Sequence, residues 1–492
     1  MKRNLLISII IAVLLCAMLS SCVNTGIPEV TSGTPEEETK IPVFETEPEP
    51  ETTVSPEETT EPPHSDHVYE NGSCTECGAS DDLSYTVDHE SKTAALVSAN
   101  ACKNKKIVVA EYYKGYPVTS ITQRAFNLCE NVNEIVIPDT MQNLADQTFA
   151  NCKAETIILG NGIKEIPACA FMDALQLKRV VVGNSLEAIG GSAFLDCESL
   201  VEIELPDTVT VIVDNAFANC RSLEYFRIPK GVTELYFATF SNCHSLKEVV
   251  FHSGIKSIDY CVFKDCSSLE KLTDFPVGIE YMAFDAFEGA PFKRTEYSGC
   301  LYIGSESHPY TVIESYGTPD AESITLHPET RVIAEKAFKG AKFTEIVIPD
   351  KVKYIGISAF ETCYKITSIT VPNSVKYLGE RAFYHCTNLE SVILSESITE
   401  LYYATFEGCK KLKELKIPDS VTKIGEKIFD KCESLAVLYI PGSVKELNFS
   451  FNKIGIDKIY YSDTLAEWME IQSNLQGYGG FTVYCSDGEK VY

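Results

Sequence analysis

Cysteine is the residue type with the most chemistry to offer in this chain. Ten of its 19 cysteines stand three residues after a phenylalanine that recurs about every 23 residues: Cys129, Cys152, Cys197, Cys220, Cys243, Cys266, Cys363, Cys386, Cys409 and Cys432. Such a column could hold metal, relay electrons or cross-link neighbouring layers. However, Phe171, Phe287 and Phe338 are followed at the same spacing by Ala174, Ala290 and Ala341. Alanine binds no metal and exchanges no thiol, but it is small and apolar, and a buried thiol behaves the same way. The position therefore asks for a small buried side chain. Disulfides between adjacent layers are harder to dismiss, because one strand spacing falls inside the Cα separation of about 4.4–6.8 Å that a disulfide spans. Side chains in register in a parallel stack lie alongside one another, with unhelpful torsions. The expectation is mostly free thiols, implying a reducing or anaerobic setting.

A second arrangement is "HSDHVYENGSCTECGA", in which His64, His67, Cys74 and Cys77 offer up to four zinc ligands at compact spacing. A Cys74–Cys77 disulfide or two free thiols fit the same residues. The stretch resembles a short element seen beside repeat and cell-wall modules of secreted proteins. With four positions filled, a zinc there would be structural. The third is Cys22. Lys2 and Arg3 precede an apolar run from Leu5 to Leu19, of signal-peptide length and short for a membrane span. "LSSC", Leu19 to Cys22, resembles the lipobox of bacterial lipoproteins. The resemblance implies cleavage before Cys22 and lipid on its new N-terminus, hence attachment to the extracellular face of the bacterial cell membrane. An ordinary secretory signal is the alternative, and either takes the protein out of the cytoplasm.

Nothing else points to catalysis. The eight histidines are scattered, and no P-loop, dinucleotide fingerprint, HExxH or GxSxG occurs. No catalytic residue is expected and the chain reads as a non-enzyme. A formal net charge of −28 repels phosphate backbones, which argues against nucleic acid as a partner.

These cysteines must be positioned by a repeated element. Phenylalanines at 126, 149, 171, 194, 217, 240, 263 and 287, then at 338, 360, 383, 406 and 429, keep a near-constant step broken by one gap of 51 residues. The frame is C-x-x-L-x-x-I-x-[IL]-P-x-x-V-x-x-I-x-x-x-A-F-x-x-C, as in "CESLVEIELPDTVTVIVDNAF" from Cys197 to Phe217. Ile203 and Leu205 before Pro206 predict a short strand, Val209 and Ile212 a second apolar pair, and A-F-x-x-C a short helical turn closing the coil. One such coil cannot bury its own apolar side, so coils must stack. Phenylalanine would fill the corner of each layer.

The frame resembles leucine-rich repeats, specifically the BspA-like (Treponema pallidum-type) class of bacterial surface proteins. The resemblance implies a β-rich right-handed solenoid of about 15 stacked 23-residue repeats, a hairpin insertion at "GCLYIGSESHPYTVI" that fills the gap, and a C-terminal cap at "IYYSDTLAEWMEI" with Trp468. The expected organisation is a signal peptide over 1–21, a tether over 22–66 and a CxxC knuckle over 67–82. The array follows over 83–298 and 324–458, around an insertion at 299–323, with a cap over 459–492. From 23 to 66 there are twelve acidic residues against the single Lys40, amid Pro and Thr, a composition that stays extended and disordered.

If Ile and Leu of the first strand point inward, the third and fifth positions of L-x-x-I-x-[IL]-P face out. Candidate binding residues on that strip are Arg179, Glu202, Glu204, Tyr225, Arg227, Glu248, Glu414, Lys416 and Tyr439. Tyr225 with Arg227 has the composition of an interface hot spot. Members of the resembled class include adhesins. The resulting expectation is a monomeric, lipid-anchored adhesin or binding protein that meets host or microbial surface proteins, mucins or glycans. The alternative is a structural scaffold of the bacterial envelope, with polysaccharide capture between the two. No cofactor is expected beyond the zinc the knuckle allows.

Overall fold

The computed structural model describes residues 67–70, 73–74, 78–99, 103–127, 129–317, 321–448, 455–471 and 480–492. Two short strands recur in each repeat, so the chain winds through about sixteen turns, each stacked on the last. In the first column of strands, Glu134–Val136 pairs in parallel with Thr156–Ile158, which pairs with Arg179–Val181. In the second, Glu165–Ile166 pairs with Ala188–Ile189 and that with Val211–Ile212. We call these columns the first and second sheets. Register follows from the repeat itself, since only zero slip stacks every apolar column on its counterpart and keeps it inside.

The corner between the sheets carries the recurring phenylalanine. Rings 126 to 287 stack at 4.7–5.5 Å with interplanar angles of at most 17°. Rings 338 to 429 continue at 5.2–6.2 Å. Each removes a large apolar group from water, worth roughly 1.5–3 kcal/mol.

The short helical turn expected around A-F-x-x-C is not a helix. Residues two before and two after the phenylalanine are left-handed, as at Ser192 (φ 55°) and Asp196 (φ 61°) around Phe194. Amides there alternate between partners. Ser192, Phe194 and Asp196 donate to Asp214, Ala216 and Ala218 of the next turn, while Ala193, Leu195 and Cys197 donate three residues back within their own. A helix would aim every amide along its own axis and leave the neighbouring turn unbonded. The position after the phenylalanine accordingly carries residues that tolerate the left-handed region, such as Asn219, Asn242 and Asp265, or Gly289, Gly340 and Gly408.

An antiparallel pair, Ser84–Asp88 with Thr93–Ser98, opens the stack, and Thr93–Ser98 runs parallel to Tyr116–Ile121. At the far end Thr482–Cys485 extends the first sheet and Gly488–Val491 returns antiparallel. Helix Leu465–Ile471 places Trp468 in the core, its Nε1 donating to Tyr492 Oη at 2.9 Å. Thr464 caps that helix, accepting from the Glu467 amide while the Glu467 carboxylate accepts from the Thr464 amide and hydroxyl.

The insertion contains Thr295–Tyr297, Cys300–Ile303 and Val312–Tyr316, joined antiparallel. Val312–Tyr316 then pairs in parallel with Val332–Ile333 and so starts a new run of the second sheet. The earlier run ends at Tyr281–Met282. Arg294 fastens the insertion, donating from Nε and Nη2 to the Glu314 carboxylate and from its Nη atoms to the carbonyls of Phe287, Ala290 and Phe292. Across the break the second sheet is joined by side chains. Tyr260 Oη donates to the buried Glu335 carboxylate at 2.8 Å, Tyr281 packs edge-on against Tyr354, and Lys336 lies 3.5 Å over the Phe284 ring.

Candidate binding surfaces

The thiol column serves the interior. Eight repeat cysteines from Cys197 to Cys432 donate their S–H to the carbonyl of the repeat phenylalanine one turn back, at 3.0–3.3 Å. Burial pushes up the thiols of Cys197, Cys220, Cys243, Cys266, Cys386, Cys409 and Cys432, those of Cys266 and Cys432 to about 12, so they are protonated and unreactive. Cysteine thus adds to alanine's small size a donor for a carbonyl that otherwise meets only one amide, as Phe194 meets Cys197. The spacing of the cysteines did not reveal that partner.

At the knuckle, Tyr69–Glu70 pairs antiparallel with Ser73–Cys74. Cys74 is buried beside Ala79 and Ala110, and His67 Nε2 donates to the Tyr112 carbonyl at 3.0 Å. His64 and Cys77 lie outside the described residues, as do Cys22 and everything before residue 67. Among the described residues no three His, Cys, Asp or Glu side chains converge as metal ligands.

The candidate strip lies on the outer face of the first sheet. Arg179, Glu202, Glu204, Tyr225, Arg227, Glu414, Lys416 and Tyr439 are exposed, and Glu248 is half-buried. Many charges there are matched across adjacent turns: Arg179 with Glu202, Lys271 with Glu248, and Lys106 with Glu134. Such exposed pairs contribute little each to stability, but they leave few open charges for a ligand. Arg227 does not join Tyr225 as a pair reaching outward. It donates to Asp207 at 2.7 Å and to the Leu205 carbonyl, and that hydrogen bond, with the Lys230 amide, holds the Asp207 carboxyl well below the usual range.

What stays open on this face is apolar and aromatic. Of fifteen exposed large hydrophobic residues among those described, six occupy its outward positions: Val181, Tyr225, Val347, Ile393, Tyr439 and Tyr460. Tyr439, Tyr460 and Tyr484 form a stacked ladder at 5.1 and 5.2 Å. Tyr460 and Tyr484 are not among the sequence candidates because they lie in the C-terminal cap, where the frame is lost; their alignment with Tyr439 shows only once the strands are in register.

A stack of two-strand turns around a phenylalanine column, with one sheet face left open, defines a leucine-rich-repeat solenoid. The family model described as BspA type leucine rich repeat region matches residues 97–200, 164–294 and 316–473, and the chain belongs to that family. No curated protein matches it. Similar solved structures include a leucine-rich repeat protein from Bacteroides ovatus ATCC 8483, 25% identical over 82% of this chain and 98% of that one, with a TM-score of 0.43. A leucine rich cell surface protein from Faecalibacterium prausnitzii A2-165 is 23% identical over 80% and 96%, with a TM-score of 0.32. The T. pallidum leucine rich repeat protein is 17% identical over 58% and 87%, with a TM-score of 0.31.

Proposed function

We propose that this protein is a non-enzymatic binding protein or adhesin of the bacterial cell surface, lipid-anchored through Cys22, which presents the outer face of its first sheet to host or microbial proteins, mucins or glycans. The observation that carries this reading is the concentration of exposed apolar and aromatic side chains on that one face. Exposed groups of this kind cost solubility and mark recognition surfaces. Stacked tyrosines are already ordered by their neighbours, so contact with a partner loses little further side-chain entropy. In this reading the acidic tether holds the array away from the membrane. Zinc at the knuckle, on His64, His67, Cys74 and Cys77, would be structural.

The test measures binding of the purified protein, kept reduced, to a panel of matrix proteins, mucins and glycans. Tyr225→Ala and a Tyr439→Ala/Tyr460→Ala double variant are measured beside it. Saturable binding weakened by these variants supports the proposal. Binding confined to proteins of the cell's own envelope would replace it with the scaffold role.

A further inference from the structure

The repeat frame places proline just after the first strand, as at Pro138, Pro206, Pro229, Pro349, Pro372 and Pro418. Histidine takes that position twice, at His252 and His327, on either side of the insertion. In both, Nδ1 accepts the amide two residues on, from Gly254 at 3.1 Å and from Glu329 at 3.2 Å. That bond fixes the tautomer and leaves the proton on Nε2. His252 Nε2 is buried and meets no acceptor, an orphan that points to a missing partner.

Both imidazoles line recesses beneath the tip of the insertion. One, of about 470 Å³, lies between the tip and the first-sheet turns, walled by Arg227, Phe251, His252 and Phe275. The other, of about 350 Å³, is walled by Tyr310, His327 and Arg331. They adjoin through Val277, Ser307 and His308, common to both. The tip is held in place by a chain of bonds from Ser305 Oγ to Ser307 Oγ and on to His308 Nδ1. Tyr310 stacks on His327 at 3.8 Å, and Tyr297 meets both rings edge-on.

We propose that this double recess is a saccharide-binding site for neutral hexose units of a glycan. Its open groups are the hydroxyls of Ser253 and Tyr310, imidazole N–H donors and aromatic rings, which suit a ligand with many hydroxyls and apolar ring faces. An anion fits less well. Arg227 and Lys230 are engaged by Asp207, Arg331 has Glu329 at 4.0 Å, and Asp274 adds a negative charge to the wall. A metal fits less well again, since both Nδ1 atoms are committed to the backbone.

The site is separate from the Tyr439–Tyr460–Tyr484 ladder, so the two readings fail independently. The experiment is saturation-transfer NMR and calorimetry on the purified protein with neutral gluco-, manno-, galacto- and chito-oligosaccharides, and with sialylated and sulfated sugars as the comparison. The expected result is saturable binding of a neutral sugar, weakened about tenfold or more by His327→Ala. Ser253→Trp, which fills the larger recess from an exposed position outside the Ser305–Ser307–His308 chain, would abolish it. Tyr439→Ala would leave it unchanged. Binding of anionic sugars alone, binding indifferent to both recess variants, or no binding of any sugar by folded protein would each overturn the proposal.

Discussion

The two sheets of this solenoid are made from the same repeats and packed on the same core, yet their outer faces differ. The first sheet exposes Val181, Tyr225, Val347, Ile393, Tyr439 and Tyr460, whereas among the described residues no outward one of the second is an exposed large hydrophobic. The second instead gathers Tyr260, Tyr281, Tyr354 and Tyr377 around Glu335 at the insertion, one of the places where its strand ladder is interrupted. Backbone pairing and the phenylalanine column support both sheets alike. Both ladders break at the insertion, but on the second a cluster of side chains around Glu335 bridges the gap, whereas the outward apolar residues of the first stay exposed.

The largest effect should come from removing the shared support. Phe217→Ala, in the middle of the ring column, is expected to cost about 3–5 kcal/mol, measured by denaturant unfolding, and to disable both faces together. A loss below about 1 kcal/mol would show that the column is not their common foundation.

Acid–base chemistry should separate the two faces next. Burial pushes the Glu335 carboxyl from 4.5 up to about 7, against the hydrogen bond from Tyr260 and the Lys336 charge, which favour ionisation, and with Asp285 nearby opposing it. Because the folded state holds this proton more tightly than the unfolded chain, its stabilisation is complete below about pH 4.5 and fades as pH rises through about 7. Glu335→Gln should therefore remove a fall of about 3 kcal/mol across that window, read from unfolding midpoints at several pH values. A residual slope includes that of Asp259, which burial lifts to about 6, and those of Asp214 and Glu380, which burial also raises. Identical pH profiles for the two proteins would mean that the second sheet is not held by this group.

Smaller still is the thiol column. Cys243→Ala deletes the bond to the Phe217 carbonyl and a small buried volume, and should cost about 1 kcal/mol. Thiol titration of denatured protein, without reductant, should find the repeat cysteines unpaired; a count of only a few would indicate disulfides between turns. Smallest is the first face itself. Tyr439→Ala/Tyr460→Ala should change stability by less than about 1 kcal/mol while removing ligand binding, and a large loss of stability would erase the contrast between the sheets.

Much of this was legible in the residues. A fixed phenylalanine step, strands ending at proline and alternating apolar positions led to stacked coils, because each signal is local and repeats in register. Two classes of detail were not local. The left-handed residues flanking Phe194 exist because amides reach the next turn, 22 residues away, and a helical turn is the natural reading when that turn is unseen. Tyr260 meets Glu335 across 75 residues, and the insertion tip lines one recess with Arg227; no periodicity reports such proximity. His252 and His327 were visible as departures from proline, but only the recess gives the substitution a meaning.

The interrupted second sheet also bears on how the molecule comes apart. In a stack of repeats each turn is stabilised by itself and its two neighbours, and the buried side chains here form two clusters that meet at the insertion. Where Val312–Tyr316 begins a new ladder, part of the neighbour's contribution is replaced by a few side chains around Glu335. Unfolding that starts at either end should run along its own half and halt there. The insertion should then act as a firebreak between two cooperative units, so that damage to the first need not destroy the tyrosine ladder carried by the second.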